Sequence, residues 1–568
     1  MQATGAQIIT TLLEREGVTT VAGVPGGCNL PLYDALRSSR IHHVLARHEQ
    51  GAGFIAQGIA RVTGRPAVCL GTSGPGATNL LTAIADAKLD SIPLVAITGQ
   101  VPRALIGTDA FQEIDTLALA RPITKGAWLV QSAAELLEVL PTAFALAASG
   151  RPGPVVIDVP KDVQSEVATF DAWPDPARCA PMPAPTDAEI ATALSLLAAA
   201  ERPLLFIGAG VVAADAGALV GRLAERIDAP VASTLHGLGA LPVTHPHFLG
   251  MVGMHAARCT NLVLQACDLL IGLGVRFDDR ATGKLAEFCP RATVIHVDVD
   301  RRELGKLVQP TLGIHGDVGA FLRRFVPRVP RAPRPGWARR VARLRRDHPL
   351  VMPDAEDPCA PYGIVRHVGR LVPADTIVTT DVGQHQMWAA QAYPFARSRQ
   401  WLTSGGLGTM GFGLPAAIGA ALAAPGRRVV CFTGDGSLLM NLQELATAAE
   451  EHVPITIVLL DNGQLGMVRQ QQDLFYGERV HASRFQVEPD FVALARAFGI
   501  AACSLGSVPD PLATLAEALR TSGPCLVHVP IARDANVYPM VPPGAGNGTM
   551  LDAPDRPVGP AQQERASP

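Results

Sequence analysis

The sequence predicts an α/β protein made of three doubly wound parallel-sheet domains, and three observations carry that prediction. A short apolar run, a glycine-rich turn and a helical stretch recur in that order: PAVCL then GTSGPGATN (66–79), PLLFI then GAGVVA (203–213), RRVVCF then TGDGS (427–437). Parallel βαβ units read this way, because a strand buried on both faces is continuously apolar and its return helix needs a tight turn. Two proline-dense stretches, 169–187 and 326–357, interrupt the pattern and suit extended linkers. The 568 residues also exceed the length of one ordinary domain by a factor of about three to four. The chain therefore divides into an N-terminal domain (1–168), a central domain (188–325) and a C-terminal domain (358–549). A polar tail over 550–568 is expected to be disordered.

Composition narrows the function. Charged residues make up 17% of the chain against roughly 25% in an average soluble domain, and 48% are hydrophobic, which points to a large core and to subunit contacts. A net charge of −3 excludes a broadly basic nucleic-acid binder. Ten arginines lie between Arg323 and Arg346, but only Trp337 could stack on a base, so they read as a solvated helix face. The uncharged stretch 400–426 is studded with glycines and holds two prolines, unlike a membrane span. The N-terminus meets Glu14 before any long apolar run, so no secretory or transit signal is read. Ten scattered cysteines, with no zinc spacing, read as buried thiols in a reducing cytoplasm. Only five lysines occur among 48 basic residues, which singles out Lys161.

The strongest constellation lies in the C-terminal domain. A strand ends at Gly434-Asp435-Gly436-Ser437, one amphipathic helix follows with Leu438, Leu439, Leu442, Leu445 and Ala446 on a single face, and strand 454–460 ends at Asp461-Asn462-Gly463. In a βαβ unit both strand ends meet at one sheet edge, so Asp435 and Asn462 come side by side. Two oxygen-bearing side chains beside a helix N-terminus suit Mg²⁺ and a diphosphate, since Mg²⁺ completes its shell with phosphate oxygens. Read singly, Asp-Gly and Asn-Gly are also ordinary turn dipeptides.

This segment resembles the diphosphate-binding signature of thiamine-diphosphate enzymes, with Asp461 replacing the first of the usual two asparagines. The resemblance implies that Asp435 and Asn462 bind Mg²⁺ through side chains and Gln464 through its carbonyl. Thiamine chemistry further requires a carboxylic acid at N1′ of the aminopyrimidine. Glu49 is the candidate: it follows a short strand and opens an apolar helix in HHVLARHEQGAGFIAQGIA. In isolation it is equally a favourable partner for a helix dipole. In that family the two motifs meet across a dimer interface, which implies at least a homodimer, with dimer and tetramer both open.

Longer stretches narrow the resemblance. VPGGCNLPLYDAL, GTSGPGATNLLTAIADA, LIGTDAFQEID, GVRFDDRATGKL, DVGQHQMWAAQ, LTSGGLGTMGFGLPAAIGAA and VYPMVPPGAGN are similar to the catalytic subunit of acetohydroxyacid synthases over about residues 5–550. That resemblance implies a carboligase that decarboxylates pyruvate and condenses the two-carbon unit with pyruvate or 2-ketobutyrate in branched-chain amino acid synthesis. It places Gly26 and Glu49 at the aminopyrimidine, with Gly383, Gln384, His385, Gly408 and Met410 on the pyrimidine side. Gly434, Asp435, Gly436, Ser437, Asn462, Gln464, Leu465, Gly466 and Met467 surround the diphosphate and metal. Phe111, Gln112, Lys161 and Arg280 match the substrate channel. For Lys161 and Arg280 a structural salt bridge remains the alternative. Gln471 stands where many members carry Trp, which predicts weak selectivity for 2-ketobutyrate over pyruvate.

The central domain matches G-x-G-x-x-A after a strand, alone a weak dinucleotide signal. By resemblance, FAD is lined by Arg151, Gly208, Gly210, Thr234, Leu235, Gly253, Met254, His255, Gly274, Val275, Arg276, Asp278, Asp298, Val299, Asp317 and Val318. Carboligation transfers no electrons, so this flavin would not be a redox partner. A flavin-dependent pyruvate oxidase of the same superfamily and a catalytically silent scaffold stand as alternatives, and a small regulatory subunit is expected by analogy only.

Overall fold

The computed structural model describes residues 1–176, 178–179 and 181–553. Three six-stranded parallel sheets, each flanked by helices, organise these residues. Numbered by sequence within each domain, the N-terminal and C-terminal sheets share the order 2-1-3-4-6-5, whereas the central sheet runs 3-2-1-4-5-6. The second of these is the order of dinucleotide-binding folds, and in both types ligands bind where the strand order reverses.

That rule locates three crevices. In the C-terminal sheet the reversal falls between Ile377–Thr380 and Val429–Gly434, which are paired in parallel register. In the N-terminal sheet it falls between Thr20–Gly23 and Ala67–Gly71, and in the central sheet between Pro203–Ile207 and Leu269–Leu273. These strands are almost wholly apolar and buried, as parallel strands covered on both faces must be.

Domain packing explains the low charge content. One apolar cluster runs from Leu205 and Ile271 in the central domain to Val430 and Val458 in the C-terminal domain. Another joins Ala52 and Ile55 of helix Glu49–Thr63 to Leu414 and Ile418 of helix Gly413–Ala423. The second helix occupies the uncharged stretch of the sequence. Its backbone touches that of the first because glycines face carbonyls: a Cβ on Gly58 would strike Ala416 O, and one on Gly419 would strike Ile55 O. Among the described residues no helix is long and apolar enough to cross a membrane.

Three expectations need correction. The single amphipathic helix after Gly434 is two, Asp435–Leu438 and Glu444–Glu450, and Leu439 lies exposed in the turn between them. Asn441 breaks the helix by donating its side-chain amide to Gly411 O (2.7 Å). The stretch 326–357 is no extended linker, since it holds helix Pro335–Asp347. Trp337 and Val341 pack that helix onto Leu204 and Phe206, and the Trp337 indole donates to Pro203 O (3.0 Å). The arginine face is nevertheless exposed at Arg339, Arg340 and Arg343. Chain order also extends past 550: Met550 is buried, Leu551 pairs with Met540, and Asp552 binds Arg258. The rest of the expected tail, 554–568, lies outside the described residues.

Candidate active site

A cavity opens at the reversal point of the C-terminal sheet. It is lined by Val382–His385, Trp388, Met410, Gly434–Ser437, Leu460, Asn462, Gln464–Val468 and Ile531. Strand Val429–Gly434 delivers Asp435 and strand Ile455–Asp461 delivers Asn462. The two motifs are joined directly, because Gln464 N–H donates to Asp435 Oδ2 (3.0 Å) while Gly436 N–H donates to Oδ1 (2.8 Å). Asn462 Nδ2 donates to Gln384 Oε1 (3.3 Å), which leaves Asn462 Oδ1 without a hydrogen bond. Ser437 Oγ donates to Val382 O (2.8 Å), tying the helix start to the first strand's loop.

Electrostatics suit a cation and an anion together. Burial, then the neighbouring Asp461 carboxyl, pushes Asp435 up to about 7. Burial would also raise Asp461, but the His528 imidazole at 3.0 Å holds it below its ordinary value, so of the two it is Asp435 that takes up a proton more readily. A metal ion would displace it, as carboxylate ligands bind deprotonated. Burial pushes His385 down to about 3, leaving a neutral imidazole whose Nε2 lacks a hydrogen-bond partner at the cavity. Among the described residues no three His, Cys, Asp or Glu side chains cluster to hold a metal alone. One carboxylate, one amide oxygen and one carbonyl fit a hard cation that takes its remaining oxygens from a phosphate.

Gly466 is required by space. A Cβ there would run into Gln384 Oε1 and lie 2.9 Å from Asn462 Nδ2. Gln384 cannot retreat, because its Nε2 donates to Gln470 Oε1 (2.9 Å) and Ala535 O (2.8 Å). Gly466→Ala is therefore expected to weaken Mg²⁺-dependent diphosphate binding by about 10–100-fold, the usual cost of disturbing a ligand's support. Calorimetric titration checks this.

Glu49 and Gly26 do not line this cavity. They lie at the carboxyl edge of the N-terminal sheet, where a Cβ on Gly26 would lie 2.6 Å from the Thr72 side chain. Glu49 opens helix Glu49–Thr63 behind the His48 N-cap, is 9% exposed, and accepts Asn79 Nδ2 (2.9 Å) through Oε2. Phe111 is 86% exposed and Gln112 adopts φ +61° in the same surface loop. Lys161 begins helix Lys161–Ser165 and makes no salt bridge among the described residues, while Arg280 Nε lies 3.9 Å from Asp279 and Arg280 Nη1 3.8 Å from Met254 Sδ. Gln471 is half-buried on helix Gly466–Phe475, and among the described residues its side chain makes no hydrogen bond. Gly408 lies in the loop before Met410 with φ +71°, and it does not line the cavity.

The residues ascribed to a flavin gather at the carboxyl edge of the central sheet. Gly208 and Gly210 follow its first strand and cross Gly274 so closely that a Cβ on Gly210 would sit 2.6 Å from Gly274 Cα. Thr234 and Leu235 follow strand Val231–Ser233. Gly253, Met254 and His255 follow Phe248–Met251, and Val275 and Arg276 follow Leu269–Leu273. Asp298 and Val299 lie at the end of Thr293–Asp298. Asp278 and Asp317 act as N-caps, accepting Ala281 N–H and Ala320 N–H, the latter for the helix opened by Val318. Ser233 Oγ is buried there without a partner, an orphan that a bound group can satisfy. Burial raises Asp298 to about 7 and lowers His255 to about 4. Arg151 reaches this edge from the N-terminal domain and pairs with Glu303 (2.7 Å). Reversal-point placement and an unpaired hydroxyl fit a dinucleotide.

Several supporting residues escape a linear reading. Asp381 accepts Gly411 N–H (2.7 Å) and Gly413 N–H (3.2 Å), fixing the turn after Met410. Glu444 accepts the backbone N–H groups of Arg47 and His48 (both 3.1 Å), anchoring the start of the Glu49 helix. Position directly after a strand was a usable signal for Asp381; nothing local marks Glu444.

Three family models cover most of the chain: the N-terminal thiamine pyrophosphate (TPP) binding domain of thiamine pyrophosphate enzymes over 3–119, their central domain over 190–325 and their C-terminal TPP binding domain over 381–529. The fold and the two crevices thus define the class, a thiamine pyrophosphate-dependent enzyme. The acetolactate synthase isozyme 1 large subunit of Escherichia coli is 55% identical, covering 96% of this chain and 97% of that protein. The isozyme 2 large subunit of the same organism is 47% identical over 96% and 99%. A probable acetolactate synthase large subunit of Methanocaldococcus jannaschii is 44% identical over 95% and 94%. The chain belongs to the acetolactate synthase large-subunit family.

Proposed function

We propose that the protein forms 2-acetolactate from two pyruvates and 2-aceto-2-hydroxybutyrate from pyruvate and 2-ketobutyrate. The observation that carries this reading is the direct tie between the Asp435 and Asn462 motifs, facing an unpaired, neutral His385. Thiamine diphosphate, when bound, supplies a carbon nucleophile and an electron sink for loss of carbon dioxide from a 2-ketoacid. Asp435, Asn462 and the Gln464 carbonyl would hold Mg²⁺, Gly434, Gly436 and Ser437 would face the diphosphate, and His385 would lie on the pyrimidine side. Glu49 would hold the proton at N1′ of the aminopyrimidine; because it lies outside the cavity of its own chain, it serves a site completed by a second copy. Arg280, with much of its side chain exposed, can grip a 2-ketoacid carboxylate with its planar fork.

FAD would sit on the carboxyl edge of the central sheet as a structural element. Relatives named large subunits support a smaller partner chain. The ten cysteines, all free thiols, support a reducing cytoplasmic setting. The test is product analysis with pyruvate, thiamine diphosphate and Mg²⁺, with FAD present or omitted and no electron acceptor. Acetolactate that disappears without FAD is expected. Acetate appearing only with an acceptor would move the assignment to an oxidase.

Gln471 sets a second expectation. A half-buried amide with no hydrogen bond offers little apolar wall to the extra methyl of 2-ketobutyrate. Gln471→Trp should raise the 2-aceto-2-hydroxybutyrate to acetolactate ratio by about tenfold or more in mixed-substrate competition, the scale of one well-packed carbon.

A further inference from the structure

Asp90 is the one described side chain whose hydrogen bonds or ion pairs reach all three domains at a single carboxylate. It ends helix Pro75–Asp90 of the N-terminal domain and is buried. Its Oδ2 accepts Arg61 Nη2 (2.7 Å) and Gly405 N–H (3.2 Å); its Oδ1 accepts Gly406 N–H (2.7 Å) and lies 2.9 Å from His236 Nε2. Gly405 and Gly406 belong to the C-terminal domain, in the loop that leads to Met410 at the cavity. His236 belongs to the central domain, in the turn Leu235–Gly237 that directly follows Thr234.

One helical turn earlier, Asp86 holds the same loop. It accepts Thr409 Oγ1 (3.0 Å) and Ser404 Oγ, and Arg61 Nη1 donates to Thr403 O (3.0 Å). Among the described residues no backbone–backbone hydrogen bond ties 403–409 together; the two buried carboxylates and the guanidinium hold the loop, together with Gln386, whose Nε2 donates to Thr403 Oγ1 (2.7 Å) and Ser404 O (3.0 Å). Contact with the central domain is equally tight, since a Cβ on Gly405 would strike His236 Nε2. A displacement of the turn at 234–237 would reach Asp90, and through it Gly405 and Gly406 in the loop that leads to Met410.

We propose that His236 and Asp90 form a latch that couples occupancy of the central-domain dinucleotide crevice to the affinity of the C-terminal cavity for thiamine diphosphate. Asp90 and His236 are positioning residues in this scheme and touch neither ligand. The inference rests on the flavin reading given above. It supplies what that reading lacks, a route by which a cofactor that exchanges no electrons governs the reacting centre. Coupling of this kind is reciprocal, so thiamine diphosphate must tighten FAD by the same factor.

The test uses full-length protein stripped of both cofactors. Calorimetric titration with thiamine diphosphate and Mg²⁺ is run with and without saturating FAD, then FAD is titrated with and without thiamine diphosphate. In the parent each cofactor should tighten the other by about fivefold or more. In His236→Ala each should still bind, with the mutual factor reduced to about one; His236→Gln, which can still donate to Asp90, should restore part of it. His236 carries this role because its side chain is partly exposed, whereas Asp90→Asn leaves Arg61 short of a buried partner and serves as a second variant. Coupling that survives in His236→Ala overturns the latch, and so does a parent in which both cofactors bind independently. Failure of FAD to bind the parent overturns the flavin reading itself and the latch with it.

Discussion

Glutamine in place of Glu49 should lower kcat for acetolactate formation by about 10²–10⁴-fold, the ordinary contribution of a positioned proton-transfer group. The substitution isolates that role. Glutamine has the same shape, and its carbonyl oxygen can still accept the Asn79 amide that Glu49 accepts at 2.9 Å. The helix start also stays anchored, because the groups that bind Glu444 are the backbone N–H groups of Arg47 and His48. Thiamine diphosphate affinity should therefore change by much less than kcat. Steady-state kinetics with calorimetric titration separates the two, and an unchanged kcat would remove Glu49 from the chemistry.

Asp435→Asn should weaken Mg²⁺-dependent cofactor binding by about 10²-fold or more, and excess Mg²⁺ should recover part of the activity. Stability should move the other way. In the cofactor-free protein Asp435 is raised from 3.8 to about 7 by burial and by Asp461. A carboxyl raised on folding binds its proton more tightly in the native state. The native state is therefore penalised progressively as pH rises from about 4, and fully above about 7. Removing the charge relieves roughly 2–4 kcal/mol at pH 8 and nothing near pH 4. Thermal unfolding of the two cofactor-free proteins at these pH values is the measurement. An unraised Tm for the variant at pH 8 would mean that the site tolerates the charge unaided.

The reacting centre was legible because its residues lie at positions that chain geometry makes special. Asp435 and Asn462 each end a strand of one βαβ unit, and parallel pairing of Val429–Gly434 with Ile455–Asp461 leaves no other place for them. The groups that hold the centre in shape were not legible. Glu444 finds its partners 396 and 397 positions away, and Asp90 finds Gly405 and Gly406 315 and 316 positions away. No local period encodes such meetings. Asn441 looked like one more position of an amphipathic helix, yet Gly411 from another loop claims its amide and splits the helix. The arginines already suggested a solvated helix face within 326–357, but the burial of Trp337 that fixes helix Pro335–Asp347 comes from the central sheet and is marked by nothing local.

Glu49 does not line the cavity of its own chain; on the proposed reading a second copy supplies it, and two inactive variants should then make an active pair. Glu49→Gln lacks only the acid and Asp435→Asn lacks only the metal carboxylate. When the two are mixed and allowed to exchange subunits, about half of the dimers are mixed, and each mixed dimer contains one intact site in two. Activity should climb from near zero to about a quarter of the parent's at the pace of subunit exchange. A site closed within one chain would gain nothing from the mixture. Dilution is the reverse experiment, because mass action then dismantles the sites themselves and specific activity falls with protein concentration.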